Sequence, residues 1–115
     1  MSILADINTA LSPLGIPVET GVFKDNAPDK YIVLVPLNDT FALHGDNRPG
    51  ADIEEVRLSF FCKGNYIADK KRIVKALLDA DLTVTARLYN GYETETGYHH
   101  YTVDLAQYYE INEED

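Results

Sequence analysis

One cysteine, one methionine and no tryptophan occur in the 115 residues of this chain. With Cys62 alone, neither an internal disulfide nor a thiolate metal cluster can form, and a reducing cytosol suits the protein. Long apolar runs are missing as well: "YIVLVPL" and "ALL" are the longest, far short of the roughly 20 residues that cross a bilayer. The N-terminus carries no basic region followed by an apolar one, so neither a membrane nor a secretion pathway is expected. Positive charge is scarce. Ten basic residues against nineteen acidic ones leave a net charge of -9 and a pI of about 4.6, which repels phosphates and disfavours ordinary DNA or RNA binding.

The rest of the composition is that of a globular protein, 45% hydrophobic and 25% charged, too apolar for a disordered chain. At this length one core is expected, so residues 1 to 115 read as a single domain. The closing "INEED", residues 111 to 115, reads as a solvated, flexible acidic tail.

Periodicity places the elements. In "SILADINTALSPLG", Ile3, Ile7, Ala10, Leu11 and Leu14 recur at helical spacing, Ser2 is positioned to cap, and Pro13 and Gly15 stop the helix. "IPVETGVF" is a weak strand that Pro17 confines to an edge or a strand start. "KYIVLVPL", residues 30 to 37, is β-branched and apolar on both faces, which predicts a central strand covered on both sides, with regular pairing failing near Pro36. Residues 38 to 52, "NDTFALHGDNRPGAD", form a long loop or an extended hairpin whose Phe41 and Leu43 alternate as if continuing the ladder. In "IEEVRLSFFCKG", Val56, Leu58, Phe60 and Cys62 oppose Glu55, Arg57 and Ser59, the pattern of a strand with one buried face.

A helix comes next in "GNYIADKKRIVKALLDADL". Tyr66, Ile67, Ile73, Val74, Leu77 and Leu78 make the apolar stripe, Lys70, Lys71 and Lys75 border it, and Asn65 caps it. "LTVTARLYNGYE" then alternates Leu82, Val84, Ala86 and Leu88 against Thr83, Thr85 and Arg87, and a final strand aligns Tyr101, Val103, Leu105 and Tyr109. Alternation continues past Asn90-Gly91, so the turn between these two strands falls near Thr94 to Gly97. The expected fold is α+β: a four- to five-stranded, mostly antiparallel sheet with two amphipathic helices packed on one face.

No motif signals chemistry. His99 and His100 are neighbours on a strand and point to opposite faces, so a metal site would need one of them plus His44 and carboxylates; they are read instead as surface or packed histidines. Ser2, Ser12 and Ser59 lie in no nucleophile elbow, Cys62 reads as core, and "GDNRPG" lacks the spacing and lysine of a phosphate cradle. Catalytic, cofactor and metal residues are therefore left unassigned. Eight tyrosines stand out, because tyrosine gives large amphipathic contact area at low entropic cost. Tyr89, Tyr92 and Tyr98 are read either as interface residues or as half-buried sheet residues, and Phe41, Leu43, His44, Asp46 and Arg48 of the long loop join them as interface candidates.

Taken together, "PDKYIVLVPLND", the polar loop ending in Arg48, "EEVRLSFFCKGNYIADKKRIVKALL" and "YETETGYHHYTVDLAQYYE" resemble the tail completion or tail terminator proteins of long-tailed bacteriophages and their prophages, over residues 28 to 111. The resemblance implies a structural protein, not an enzyme. It implies self-association as a ring, usually a hexamer, at the head-proximal end of the tail, where the ring stops tube growth and meets the head's connector or head-completion proteins. Implied partners are other copies, the tail tube protein and those connectors, with no membrane and with DNA only as cargo in a channel. The implied location is the virion's head-tail junction, after assembly in the host cytoplasm. A head-side adaptor of the neck is the alternative within that class, and an acidic DNA mimic that inhibits a host protein is the alternative outside it.

Overall fold

Helix α1, Ile3–Leu11, starts where Ser2 accepts the Ala5 amide with its hydroxyl, and it turns Ile3, Ile7 and Leu11 inward at i, i+4 spacing until all three are buried. A 3-10 turn, Ser12–Leu14, comes directly after it and is stopped by Gly15 at φ +71, a left-handed conformation in which a Cβ would be strained. The computed structural model describes residues 2–22, 26–42 and 50–111. Five strands succeed α1 in these residues: β1 Val18–Thr20, β2 Lys30–Ala42, β3 Ala51–Lys63, β4 Thr83–Glu93 and β5 Tyr98–Glu110, with helix α2, Ile67–Asp79, between β3 and β4. They form one sheet in the order β1-β2-β3-β5-β4.

Every pairing is antiparallel except β1 with β2, which is parallel. The α+β expectation holds, with this short parallel edge as its one departure from an antiparallel sheet. Pro17, which has no amide hydrogen, enters the ladder through its carbonyl by accepting from the Ile32 amide. The β4–β5 turn closes over residues 94–97, where the Gly97 amide donates to the Glu93 carbonyl at 2.8 Å.

One hydrophobic core lies between the sheet and the two helices. Ile32 and Leu34 of β2, Val56, Leu58, Phe60 and Cys62 of β3, and Tyr101, Val103 and Leu105 of β5 face Ile3, Ile7, Leu11, Ile73 and Leu77. Cys62 is buried there, and burial pushes its thiol above the ordinary value, so it packs as a small apolar group.

Four expectations need correction. β2 is not covered on both sides: the helices take only the face of Ile32 and Leu34, while Val35 and Leu37 remain exposed at 38% and 45%. The apolar pattern reflects aromatic neighbours on the second face rather than a second layer. On α2 the buried stripe is Asp69, Ile73 and Leu77, so Ile67 and Leu78 fall outside it. An i, i+4 row runs through a carboxylate that hydropathy alone rejects, because Lys30 and Arg72 neutralise it at 2.8 and 3.0 Å and hold its pKa below the usual range.

Asn65 is not the N-cap itself: Tyr66 occupies that position, and the Asn65 side chain accepts the Ile67 amide at 3.0 Å from one residue earlier. Finally, the alternation of β4 breaks at a bulge between Val84 and Ala86 and again between Tyr89 and Gly91. Each extra residue inverts the facing of the side chains after it. Ala86 and Leu88 thus line up with Asp104 and Thr102 on the helix-free face, and Arg87 and Tyr89 take the helix side. Thr85 and Asn90, at the bulges, hydrogen-bond back to β5 at the Asp104 carbonyl and the Thr102 hydroxyl.

Two leucines at related sheet positions test this register. Leu58→Ala, in the core, is expected to cost about 2–5 kcal/mol in denaturant unfolding. Leu88→Ala, displaced outward by the bulge, should stay within about 0.5 kcal/mol. Similar losses from both would contradict the bulged arrangement.

Candidate interaction surfaces

The ends of β2, β3 and β5 continue past the buried core as a projecting three-stranded arm, with β3 in the middle. A register shift between Pro36 and Asn38 marks its base, where the missing amide of Pro36 interrupts the ladder, and pairing then resumes as far as Ala42 opposite Ala51. Residues 38–42 and 51–52 are therefore paired strand rather than loop. Phe41 lies opposite Asp52, and Asp39 lies opposite Glu54, so all four share one face. Phe41 is 62% exposed. Leu43, His44, Asp46 and Arg48 lie outside the described residues.

The arm is acidic. Across residues 38–42, 50–55 and 106–111 stand Asp39, Asp52, Glu54, Glu55 and Glu110, with no lysine or arginine among them. Burial pushes the Glu54 carboxyl above its ordinary value. The Ile3 amide, donating to it at 2.8 Å, draws it back, while Asp52 and Asp39 raise it further. Tyr109, on the neighbouring strand, donates to the Asp6 carboxylate and so ties the arm's base to α1.

A second surface forms around the N-terminal half of α2. Tyr66 stacks on Tyr89 with centroids 5.0 Å apart, the Tyr89 hydroxyl meets His99 Nδ1 at 2.8 Å, and Tyr92 leans on the same imidazole. Lys70 Nζ lies over both Tyr66 and Tyr101. Tyr89 and Tyr92 are 41% and 53% exposed. Further along α2, Lys70, Lys71, Val74, Lys75, Leu78 and Arg87 line a shallow cleft of about 250 Å³ that also includes Asp79. Its lining combines apolar Val74 and Leu78 with four cationic side chains, of which Lys75 is paired to Asp79 at 2.7 Å.

The third surface is the helix-free sheet face. Tyr31, Phe61 and His100 stack in a row at 4.8 and 4.3 Å, and Tyr98 meets Tyr31 and Phe61 edge-on. Tyr98 also donates its hydroxyl to the Pro28 carbonyl at 2.6 Å, which fixes the loop ahead of β2. Beside this row, Arg57 and Asp104 pair in two parallel bonds of 2.8 and 3.0 Å within a hollow of about 460 Å³. Burial lowers the His100 pKa, and its Nε2 has no hydrogen-bond partner among the described residues.

The adjacent histidines thus enter two separate aromatic clusters on opposite faces. Among the described residues, no group of three or more His, Cys, Asp or Glu is arranged to hold a metal ion. Tyr89 and Tyr92 sit together on the helix side, Tyr98 lies on the other face, and Phe41 stands apart at the arm. Sequence reasoning missed the α2 cleft, because it joins a helix to a bulged strand, and it missed the carboxylate face of the arm, whose register was unknown. The density of lysines in "KKRIVK" was the available signal for the first.

No family model and no curated protein matches this chain. No helix among the described residues is long and apolar enough to cross a membrane.

The raised pKa of Glu54 sets a testable pH dependence. A carboxyl whose folded-state pKa exceeds its ordinary 4.5 contributes stability that is complete below 4.5 and is lost as pH rises through the folded value. Glu54→Gln keeps an acceptor for the Ile3 amide and removes the charge. Relative to the wild type, the variant should be more stable at pH 7 than at pH 4; a constant difference across denaturation curves over that range would contradict the crowding of carboxylates.

Proposed function

We propose that this chain is a virion assembly protein of the tail-terminator kind, which associates with its own copies in a ring at the head-proximal end of a phage tail, ends tube growth and joins the tail to the head. Supporting this reading is the resemblance of residues 28 to 111 to that family, together with the placement of exposed contact surface. The observation that carries it is the separation of two unlike patches: the β2 side of the arm, with Phe41 and Asp39, and the α2–β4 surface across β3 and β5 from it. Rings are built from heterologous contacts, which require two different patches per subunit. Partners in this reading are neighbouring copies, the tail tube protein and the head's connector proteins, and DNA passes through without being bound.

Deleting the gene from the phage and imaging its particles by electron microscopy tests the role. Over-long tails without heads are expected. Normal virions would overturn the proposal, and finding the protein on isolated heads rather than on tails would replace it with the head-side adaptor role.

A further inference from the structure

The two edge patches are complementary in shape and charge. On the arm, Phe41 projects from a face that also carries Asp39, Asp52 and Glu54, with no cation among the described residues of the arm. On α2, the cleft is lined by apolar Val74 and Leu78 and by Lys70, Lys71, Lys75 and Arg87, with one carboxylate, Asp79, which pairs with Lys75 at 2.7 Å. Leu78 is 53% exposed although it belongs to a helix whose inner face is fully packed. An exposed aromatic beside carboxylates matches apolar side chains beside ammonium and guanidinium groups.

The molecule cannot join these surfaces within one chain. Phe41 lies on β2, and Arg87 of the cleft lies on β4, with β3 and β5 between them. Three strand spacings of about 4.8 Å each, held by continuous ladders, keep them apart. Both patches belong to the helix side of the sheet, Phe41 through its pairing with Asp52 and the cleft through α2 itself. Two copies side by side in the same orientation, with β1 and the arm segment of β2 turned to the β4 edge of the next, bring one molecule's arm toward the next molecule's α2.

From this geometry we infer that the arm of one copy seats Phe41 in the Lys70–Leu78 cleft of the next, with Asp39 and Asp52 against its cationic side chains. The inference rests on the self-associating role proposed above and names its contact. Each copy donates one arm and receives one, so the contact is heterologous and repeats around an axis. The carboxylates crowded on the described residues of the arm, which hold no lysine or arginine, find counter-charges in the neighbour. The hollow on the helix-free face is the competing acceptor; its Arg57 is neutralised by Asp104 in a two-bond pair, as Lys75 of the cleft is by Asp79, and Arg87 lines both, but the cleft adds Lys70 and Lys71.

Disulfide trapping in the full-length chain tests the contact. In a Cys62→Ala background, Phe41→Cys with Leu78→Cys should yield, on oxidation at about 1 mM protein, a ladder of covalent dimers, trimers and higher species. A mixture of the two single-cysteine chains should stop at dimers. Lys71→Glu with Lys75→Glu should reduce cross-linking at least tenfold, and Asp39→Lys with Asp52→Lys on the partner chain should restore it. Sedimentation of the unaltered chain should show association that weakens as salt rises, which keeps the test valid if a charge variant fails to fold. An absent ladder, a ladder indifferent to charge reversal, or preferential trapping of the Phe41→Cys thiol by Leu88→Cys on the helix-free face would overturn the inference. Its failure is distinguishable from failure of the assembly role: lost tail termination on gene deletion, beside normal tails from the charge-reversed arm, would discard this contact and keep the role.

Discussion

Mismatch in length between strands and helices governs this molecule. At about 3.3 Å per residue, the thirteen-residue strands β2, β3 and β5 run to about 43 Å, whereas α1 and α2, at 1.5 Å per residue, reach only about 14 and 20 Å. Two such helices cannot cover one face of that sheet. The continuous core runs from Cys62 to Val56 on β3, and beyond it α1 meets the ladder through Ile3 at Glu54 and Asp6 at Tyr109. The 54 Å long axis, roughly twice either other dimension, is the visible result.

Each uncovered part is stabilised in a different way. At the arm, the strands rely on ladder bonds and on anchors at the base: the Glu54 carboxylate receives the α1 amide of Ile3, and Tyr109 reaches Asp6. On the helix-free face, ring stacking of Tyr31, Phe61 and His100 supplies the contacts a second helical layer would have given, and the Arg57–Asp104 pair neutralises the charges between. At the β4 edge, two bulges twist the strand, and Thr85 and Asn90 recover bonds to β5. Bulged edges resist open-ended strand pairing, which leaves side-chain contact as the mode available there.

Charge is divided in the same way. The net value of -9 conceals a polar arrangement, with carboxylates gathered on the arm and cations along α2. Composition described an acidic protein that repels phosphates; the fold sorts those charges into one edge that repels itself and another that attracts it. Under the proposed assembly role, the local distribution matters more than the sum.

Much of the fold was legible in the residues themselves, because helix and strand periods are local. Ser2 opens α1 and Gly15 closes the 3-10 turn that follows it, the period of two marked Val56, Leu58, Phe60 and Cys62 as one buried row, and the turn before Gly97 was readable from alternation that ran past Asn90-Gly91. Opposite orientations for His99 and His100 needed only the geometry of a strand. The features that the chain could not disclose alone depend on partners distant in sequence. Asp69 lies in the buried row of α2 because Lys30, 39 residues earlier, neutralises it; Leu88 faces outward because a bulge forms against β5; and Phe41 shares a face with three carboxylates because the register after Pro36 shifts by one. Periodicity records which side of an element is apolar, but only assembled ladders and ion pairs decide which polar groups share that side and where two surfaces stand relative to each other.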